Sequence, residues 1–471
     1  MCEVEMGFDI KRSGLFKVRL VACGYSQIPG VDFTESYAPV IHDVSWRILI
    51  IAMIVLGLDA RIVDVETAFL YGDLDEEIYM TCPEIHGPDE VLFLVHSIYG
   101  LVQAARQYYK KFISKLRELG FTGGYPDPCL YTRRNKKGIV FIAIWVDDCL
   151  LVGHTEAILQ AIEDLKSKGF NLKLEGTLDD YLSCEITFSK DKKRAWIHQP
   201  HLLTKIEKQF GELVKDLQVY KTPGTPGLTI LRSPGGGAVD GEKQKIYRSG
   251  TGMLLYLVKH SRPDISNAVR ELTKALSGPS LSAYKELLRV LKYVIDTKYL
   301  ALKVEPIMSE EGLWSIVAFS DSDFAGDKET RISIAGFVLY LMGVPISWRS
   351  KGQKSVTLSS SEAEYVALSE AAKEIKFVYQ LLVSMGIKVK LPITVRVDNI
   401  GAIFMSENVA VSQRTKHVDV RYRFVQQFVM DNFLTVTFVR TTDNDADVFT
   451  KNLGGELHTK HSSKMVTKKG D

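Results

Sequence analysis

Two adjacent carboxylates, Asp147 and Asp148, interrupt an otherwise apolar stretch that runs Phe141-Ile142-Ala143-Ile144-Trp145-Val146-Asp147-Asp148-Cys149-Leu150-Leu151-Val152-Gly153. The pattern predicts strand, tight turn, strand. Neighbouring like charges repel, so either one carboxyl is protonated or a cation lies between them. A divalent metal resolves the repulsion and becomes the largest local charge. The bland alternative is a solvated acidic turn, but continuous apolar runs on both flanks favour a buried hairpin. A third carboxylate, Asp64, interrupts the short apolar strand Ala60-Arg61-Ile62-Val63-Asp64-Val65 and leads into a turn-forming run. One Asp on one strand and an Asp pair on a hairpin are the parts of a two-metal phosphoryl-transfer site. No Gly-x-x-x-x-Gly-Lys-Ser/Thr loop is present, which argues against a P-loop nucleotide hydrolase.

The elements that must position these groups follow from the surrounding pattern. A helix is expected over residues 44–58, ending near Gly57 and feeding the Asp64 strand. A length of 471 residues exceeds a single core and implies about three domains. Hydrophobic content of 46% and charged content of 25% are ordinary for a globular chain, and a net charge of +2 does not announce a nucleic-acid binder. Basic residues nevertheless cluster: Arg106, Lys110, Lys111, Lys115 and Arg117, then residues 133–137, then residues 190–194. Such clusters are more often solvated faces than phosphate tracks. Tyr108 and Tyr109 within the first cluster read as core aromatics before base-stacking ones. Six scattered cysteines without a Cys-x-x-Cys pair support neither a disulfide framework nor a zinc site and fit a reducing compartment. His198 and His201 lack further ligands nearby. The apolar run at 48–58 is too short to span a bilayer, and no signal peptide is visible.

Six blocks in one order resemble copia-type retrotransposon reverse transcriptases. They are Lys17-Val18-Arg19-Leu20-Val21-Ala22-Cys23-Gly24-Tyr25-Ser26-Gln27, Tyr37-Ala38-Pro39-Val40, Asp64-Val65-Glu66-Thr67-Ala68-Phe69-Leu70-Tyr71-Gly72-Asp73-Leu74, Ile98-Tyr99-Gly100-Leu101-Val102-Gln103, Asp127-Pro128-Cys129-Leu130-Tyr131 and Trp145-Val146-Asp147-Asp148. The resemblance implies a right-hand polymerase in which Asp64, Asp147 and Asp148 are catalytic and hold two Mg²⁺ ions, with Mn²⁺ as a substitute. It also implies that Phe69 lies under the incoming sugar, that Lys17 and Arg19 face the triphosphate, and that Tyr99 and Gly100 line the same pocket. Phe69 as a plain core aromatic remains the alternative reading.

The C-terminal third carries a second family set, similar to a copia-type ribonuclease H. It comprises Phe319-Ser320-Asp321-Ser322-Asp323-Phe324-Ala325-Gly326, Ser359-Ser360-Ser361-Glu362-Ala363-Glu364-Tyr365, Val395-Arg396-Val397-Asp398-Asn399 and Asp445-Ala446-Asp447-Val448-Phe449-Thr450-Lys451. At about 100° per residue, Glu364 shares a helix face with Leu368, Ala371, Ile375, Val378 and Leu382. Glu362 points away and, with Ser359, fits a capping box. Glu364 is thus a carboxylate on an apolar face that needs a charge partner. Carried over residue by residue, the resemblance makes Asp321, Glu364, Asp398 and Asp447 the catalytic ligands of a second metal pair. Asp323 and Asp445 are expected to be solvent-facing neighbours.

The expected fold class is α+β multidomain: fingers, palm and thumb, then a connection region and an α/β ribonuclease H-like domain. The expected layout is fingers and palm at 1–155, a thumb-like segment at 156–225 and a linker with connection region at 226–310. The ribonuclease H-like domain then takes 311–455 and a basic tail 456–471. The Pro/Gly-rich stretch 222–241 reads as a flexible linker. Expected partners are an RNA template, a DNA primer, RNA–DNA hybrid, deoxyribonucleoside triphosphates and other products of the same element, with no membrane. The expected location is a cytoplasmic virus-like particle with a nuclear stage. Two departures stand out: Cys23 occupies a position where such enzymes commonly carry Lys or Arg, and Trp145 replaces the usual Tyr. Without upstream protease and integrase, the chain reads as one piece of a polyprotein or a truncated copy, and a catalytically inactive nucleic-acid-binding remnant is the alternative function.

Overall fold

The computed structural model describes residues 4–470 except 11–15, 82–90, 177, 179–180, 233–236, 310 and 409–415; side chains are further undescribed at 4–10, 17 and 416–422. The chain forms two compact units, residues 1–46 with 57–177 and residues 47–56 with 178–471.

In the first unit, β1 (Val4–Ile10) and β2 (Phe16–Ala22) make an antiparallel hairpin. Helix α1 (Asp43–Leu56), whose residues 47–56 are counted with the second unit, precedes β3 (Asp59–Val65), matching the helix-then-strand expectation to within two residues at its end. A 3₁₀ turn (Ala68–Tyr71), the small pair β4 (Tyr79–Thr81) and β5 (Val91–Phe93), and helix α2 (Ala104–Glu118) follow. Then come β6 (Thr122–Gly123), β7 (Leu130–Asn135), β8 (Gly138–Trp145), β9 (Asp148–Gly153), α3 (Thr155–Ser167) and β10 (Leu172–Gly176). Six of these strands form one antiparallel sheet in the order β10-β3-β9-β8-β7-β6. Residues 139–144 and 149–153 are buried throughout, so β8 and β9 are central strands covered on both faces. Because β10 hydrogen-bonds the free edge of β3, the chain stays in this sheet to residue 176, and the compact division falls beyond the break expected at 155/156.

The second unit opens with β11 (Glu185–Phe188), β12 (Ala195–His198) and α4 (Pro200–Val214), then the helices α5 (Gly241–His260), α6 (Ser266–Thr273) and α7 (Leu281–Asp296). Leu203, Phe210, Tyr247, Leu257, Val269 and Leu291 belong to the shared apolar core of these helices. β13 (Leu300–Val304) returns to the first sheet of the unit. A second sheet comprises β14 (Ile316–Asp323), β15 (Ile334–Leu341) and β16 (Val344–Gly352), joined after α8 (Ser360–Ser384) by β17 (Ile393–Val397). Helices α9 (Ile400–Glu407) and α10 (Lys416–Met430) lead to β18 (Leu434–Phe438). The order is β16-β15-β14-β17-β18, with the first three strands antiparallel and β14, β17 and β18 mutually parallel. The chain finishes with α11 (Gly455–Ser462) and β19 (Val466–Lys468).

Two expectations are corrected here. The described part of the 222–241 stretch is not a free linker: Thr222, Pro223 and Gly224 are buried, and Glu286 accepts from Thr225 N and Oγ1 at 2.6 and 2.9 Å. Ile230 N donates to Glu271 at 2.8 Å. Residues 456–470 are not a loose basic tail either. β19 pairs with β13 to complete the sheet β11-β12-β13-β19, and His458 and His461 are buried. His458 Nε2 lies 3.0 Å from the Asp264 carbonyl, beside the fully buried, bidentate Arg262–Asp264 pair (2.8 Å twice). An unpaired charge there would be costly, so this contact ties α11 firmly to the unit. Among the described residues, no helix is long and apolar enough to cross a membrane.

Candidate active sites

In the first unit, Asp64 on β3 and Asp148 on β9 are direct register partners, so their side chains leave the sheet on one face. Asp147 occupies the turn between β8 and β9, where its carbonyl accepts from Val65 N at 2.9 Å. The turn depends on Val146 at φ 55°, a left-handed conformation that a β-branched residue adopts only under constraint. All three Asp are half-buried. The field they create is visible next door: burial first, then the Asp147 charge, raise the Tyr99 hydroxyl above the ordinary tyrosine range.

The nucleotide-pocket candidates gather around Tyr99. The Phe69 ring lies 5.0 Å from the Tyr99 ring, and the Arg19 guanidinium stands 5.3 Å above that ring. Phe69 is half-buried, packed beside Ala22, Ile78 and Leu101 while keeping an open edge. Gly100 has φ 91°, and a Cβ there would approach the Ala22 carbonyl oxygen to 2.0 Å, so only glycine fits. Its contribution is close backbone approach: Ala22 N donates to the Tyr99 carbonyl at 2.8 Å, fixing Tyr99 against β2. The Lys17 side chain lies outside the described residues; its backbone is in β2, two positions from Arg19.

In the second unit, Asp321 on β14, Glu364 on α8 and Asp398 after β17 offer ligand oxygens that all lie within 4.8 Å of one another. The parallel β14–β17 pairing carries Asp321 and Asp398 to one end of the sheet, and α8 lies across it. Asp321 and Glu364 are only 2% and 6% exposed. Ser322 N donates to Glu364 Oε1 at 3.0 Å, while Glu364 Oε2 is buried without a hydrogen bond. Burial, then Asp321 and Asp398, push Glu364 up to about 9. Burial, then Asp321, push Asp447 up to about 7. Three converging carboxylates, one with a buried orphan oxygen, fit a hard divalent cation that takes oxygen ligands.

Asp447 is adjacent to this group but is not one of the converging three. It lies on a buried 3₁₀ turn (Asp445–Phe449), with Lys451 Nζ 3.1 Å from its Oδ1 and 3.8 Å from Asp321 Oδ2. Thr450 Oγ1 donates to Asp321 Oδ2 from the same segment. Glu362 sits in the cap as its position implies: its N donates to Ser359 Oγ at 3.2 Å and its Oε2 accepts from Leu358 N at 2.7 Å. Asp445 corrects the solvent-facing expectation. It is buried, bonded to Tyr340 (3.2 Å), His461 (2.9 Å) and Lys464 (2.5 Å), and Asp323 is half-buried. Lys451 is the residue that motif reading passed over; its signal was an i,i+4 position after Asp447.

Residues 7–223 match the reverse transcriptase (RNA-dependent DNA polymerase) family. The chain is 33% identical over 460 residues to the retrovirus-related Pol polyprotein from transposon TNT 1-94 of Nicotiana tabacum, covering 94% of this chain and 34% of that one. It is 32% identical over 454 residues to the corresponding polyprotein from transposon RE1 of Arabidopsis thaliana, covering 96% and 30%. The chain thus spans about a third of the length of the curated relatives it matches. Among solved structures, the foamy viral protease-reverse transcriptase in complex with double-stranded DNA superimposes with TM-score 0.50 at 12% identity, over 93% of this chain and 65% of that one. The fold is α+β multidomain, a polymerase followed by a ribonuclease H-like domain built on the β16-β15-β14-β17-β18 sheet. By these relatives, the chain belongs to the copia-type retrotransposon Pol family and carries its reverse transcriptase domain.

Proposed function

We propose that the chain is an RNA-directed DNA polymerase that also degrades the RNA strand of RNA–DNA hybrid. Its substrates are an RNA template, a DNA primer and deoxyribonucleoside triphosphates, and it works with the other products of its element in a cytoplasmic particle with a nuclear stage. The single observation that carries the reading is the presence of two separate carboxylate constellations, one on a strained hairpin and one under a helix. Two Mg²⁺ ions at each would activate the attacking oxygen and bear charge on the leaving oxygen.

The residues then divide the work. Asp64, Asp147 and Asp148 face the primer terminus and the triphosphate. Arg19, held over Tyr99, supplies positive charge to the triphosphate with Lys17, while Phe69 blocks a 2′-hydroxyl; the 5.0 Å Phe69–Tyr99 contact supports a rigid wall for that purpose. Asp321, Glu364, Asp398 and Asp447 orient water on the scissile phosphodiester of the RNA strand, which the wide minor groove with its 2′-hydroxyls marks.

The test is primer extension and labelled-hybrid cleavage on the same preparations. Asp147→Asn should lower extension at least about a thousandfold and leave cleavage within about twofold, and Asp398→Asn should do the reverse. Joint loss of both activities in either variant would refute two independent sites. Absence of both in the wild-type chain would leave a nucleic-acid-binding remnant. In the same assay, Phe69→Val should raise the share of ribonucleotide incorporated; an unchanged share at normal activity removes the gate.

A further inference from the structure

Among the described residues, Lys451 is the cation that reaches into the second carboxylate constellation in ion-pair contact with two of its members. Its Nζ lies 3.1 Å from Asp447 and 3.8 Å from Asp321, which is itself one of the converging Asp321–Glu364–Asp398 group. The 3.1 Å contact is an ion pair to a buried Asp447 oxygen for which no other described residue provides a hydrogen bond. Withdrawing the ammonium would leave that oxygen free for another ligand.

The backbone around Lys451 is held from both sides. Its N donates to the Asp447 carbonyl at 3.2 Å. The following residue, Asn452, accepts from Asn267 Nδ2 at 2.9 Å and donates to the Leu228 carbonyl at 3.2 Å. Gly224 packs so closely on Asn452 that a Cβ would come within 2.5 Å of its Oδ1. With the main chain fixed, the four-carbon stem is the movable part, and Lys451 keeps 38% of its side chain exposed. Among the described residues, Arg270 and Lys274 are already committed: Arg270 bonds Asn267, Ser350 and Glu271, and Lys274 pairs with Glu271 and Asp327.

We propose that the Lys451 ammonium is a resident counter-cation of the second metal position, neutralising Asp447 and Asp321 until the phosphodiester of the hybrid draws it away. The site then takes one divalent cation readily, at Asp321, Glu364 and Asp398, and a second only together with substrate. This rests on the nuclease reading above for its substrate, but its metal-binding half stands without it. No bond is made or broken by Lys451; an ion pair is exchanged from carboxylate to phosphate.

The experiment counts Mn²⁺ bound to the full chain by electron paramagnetic resonance, with Mn²⁺ alone and then with a 2′-O-methyl RNA–DNA hybrid that resists cleavage. Without hybrid, Lys451→Met should bind one more ion than the wild type over the same range, its weaker ion tightened at least tenfold, and Lys451→Gln should agree. Lys451→Arg, which keeps the charge, should resemble the wild type. Adding hybrid should raise the wild-type count by one and leave Lys451→Met unchanged. Coincident isotherms for wild type and both neutral variants, all folded by circular dichroism, would overturn the counter-cation role. If wild type cleaves no hybrid yet the neutral variants gain the ion, the nuclease reading fails and the counter-cation stands. If wild type cleaves and the isotherms coincide, the counter-cation alone fails.

Discussion

The two carboxylate constellations use the same residue types under opposite conditions. At the β8–β9 turn, three half-exposed Asp are positioned by backbone: a register pair across two buried strands and a Val at φ 55°. Beneath α8, Asp321, Glu364 and Asp447 are buried and crowd one another, so desolvation and mutual repulsion raise their affinity for protons. One site stores its constraint in a dihedral angle and the other in crowded, buried carboxylates. The first should therefore respond to changes in chain conformation, the second to pH and to divalent cations.

The largest effect expected from that contrast is at Val146. Val146→Gly relieves the positive φ, so stability should change by no more than about 1 kcal/mol. The turn, however, loses its stiffness, and extension should slow about ten- to a hundredfold while hybrid cleavage stays unchanged. Equal extension rates would mean that strain at the turn has no part in positioning Asp147.

A middle-sized effect belongs to Glu364. Its folded-state value, about 9, is above the ordinary 4.5, so the folded chain keeps a proton that the unfolded chain releases. Stability is then unpenalised below about pH 4.5 and falls as pH rises toward about 9. With a chelator present, Glu364→Gln should melt about 2–6 °C above wild type near the upper end of that window and within about 1 °C near the lower end. Mg²⁺ should raise the wild-type melting temperature most at high pH and do little for the variant.

The smallest effect is expected at Glu362. Its carboxylate accepts from Leu358 N in the helix cap, so Glu362→Gln should cost less than about 1 kcal/mol and change cleavage less than about twofold. A large loss of cleavage would reverse the assignment of the two glutamates on α8.

What could be read from the chain alone was local. Apolar runs flanking Asp147-Asp148 predicted a hairpin, and the structure has one; a 100° helical wheel separated Glu364 from Glu362, and their surroundings differ accordingly. What escaped reading depends on partners distant in sequence. Asp445 is buried because Tyr340 arrives from 105 residues upstream and His461 and Lys464 from 16 and 19 downstream. The 222–232 stretch has linker composition, yet Glu271 and Glu286 on α6 and α7 bond its backbone. Lys469 reads as tail charge, and its partner is Glu185, 284 residues away.

That closure by β19 bears on how this polypeptide can be cut for laboratory use. A nuclease fragment designed from motif boundaries, 311–455, would omit the strand that completes the β11–β13 sheet and the His458 ring seated on Asp264. It would also leave out β11, β12 and β13, whereas a longer fragment that kept them but ended at 455 would expose β13 as an unpaired edge, a template for intermolecular pairing. The compact unit comprises 47–56 with 178–471, so a cut at 178 also loses part of it, and a stop codon sixteen residues early would remove the pairing partner of β13 although all four metal ligands proposed for the second site are still encoded.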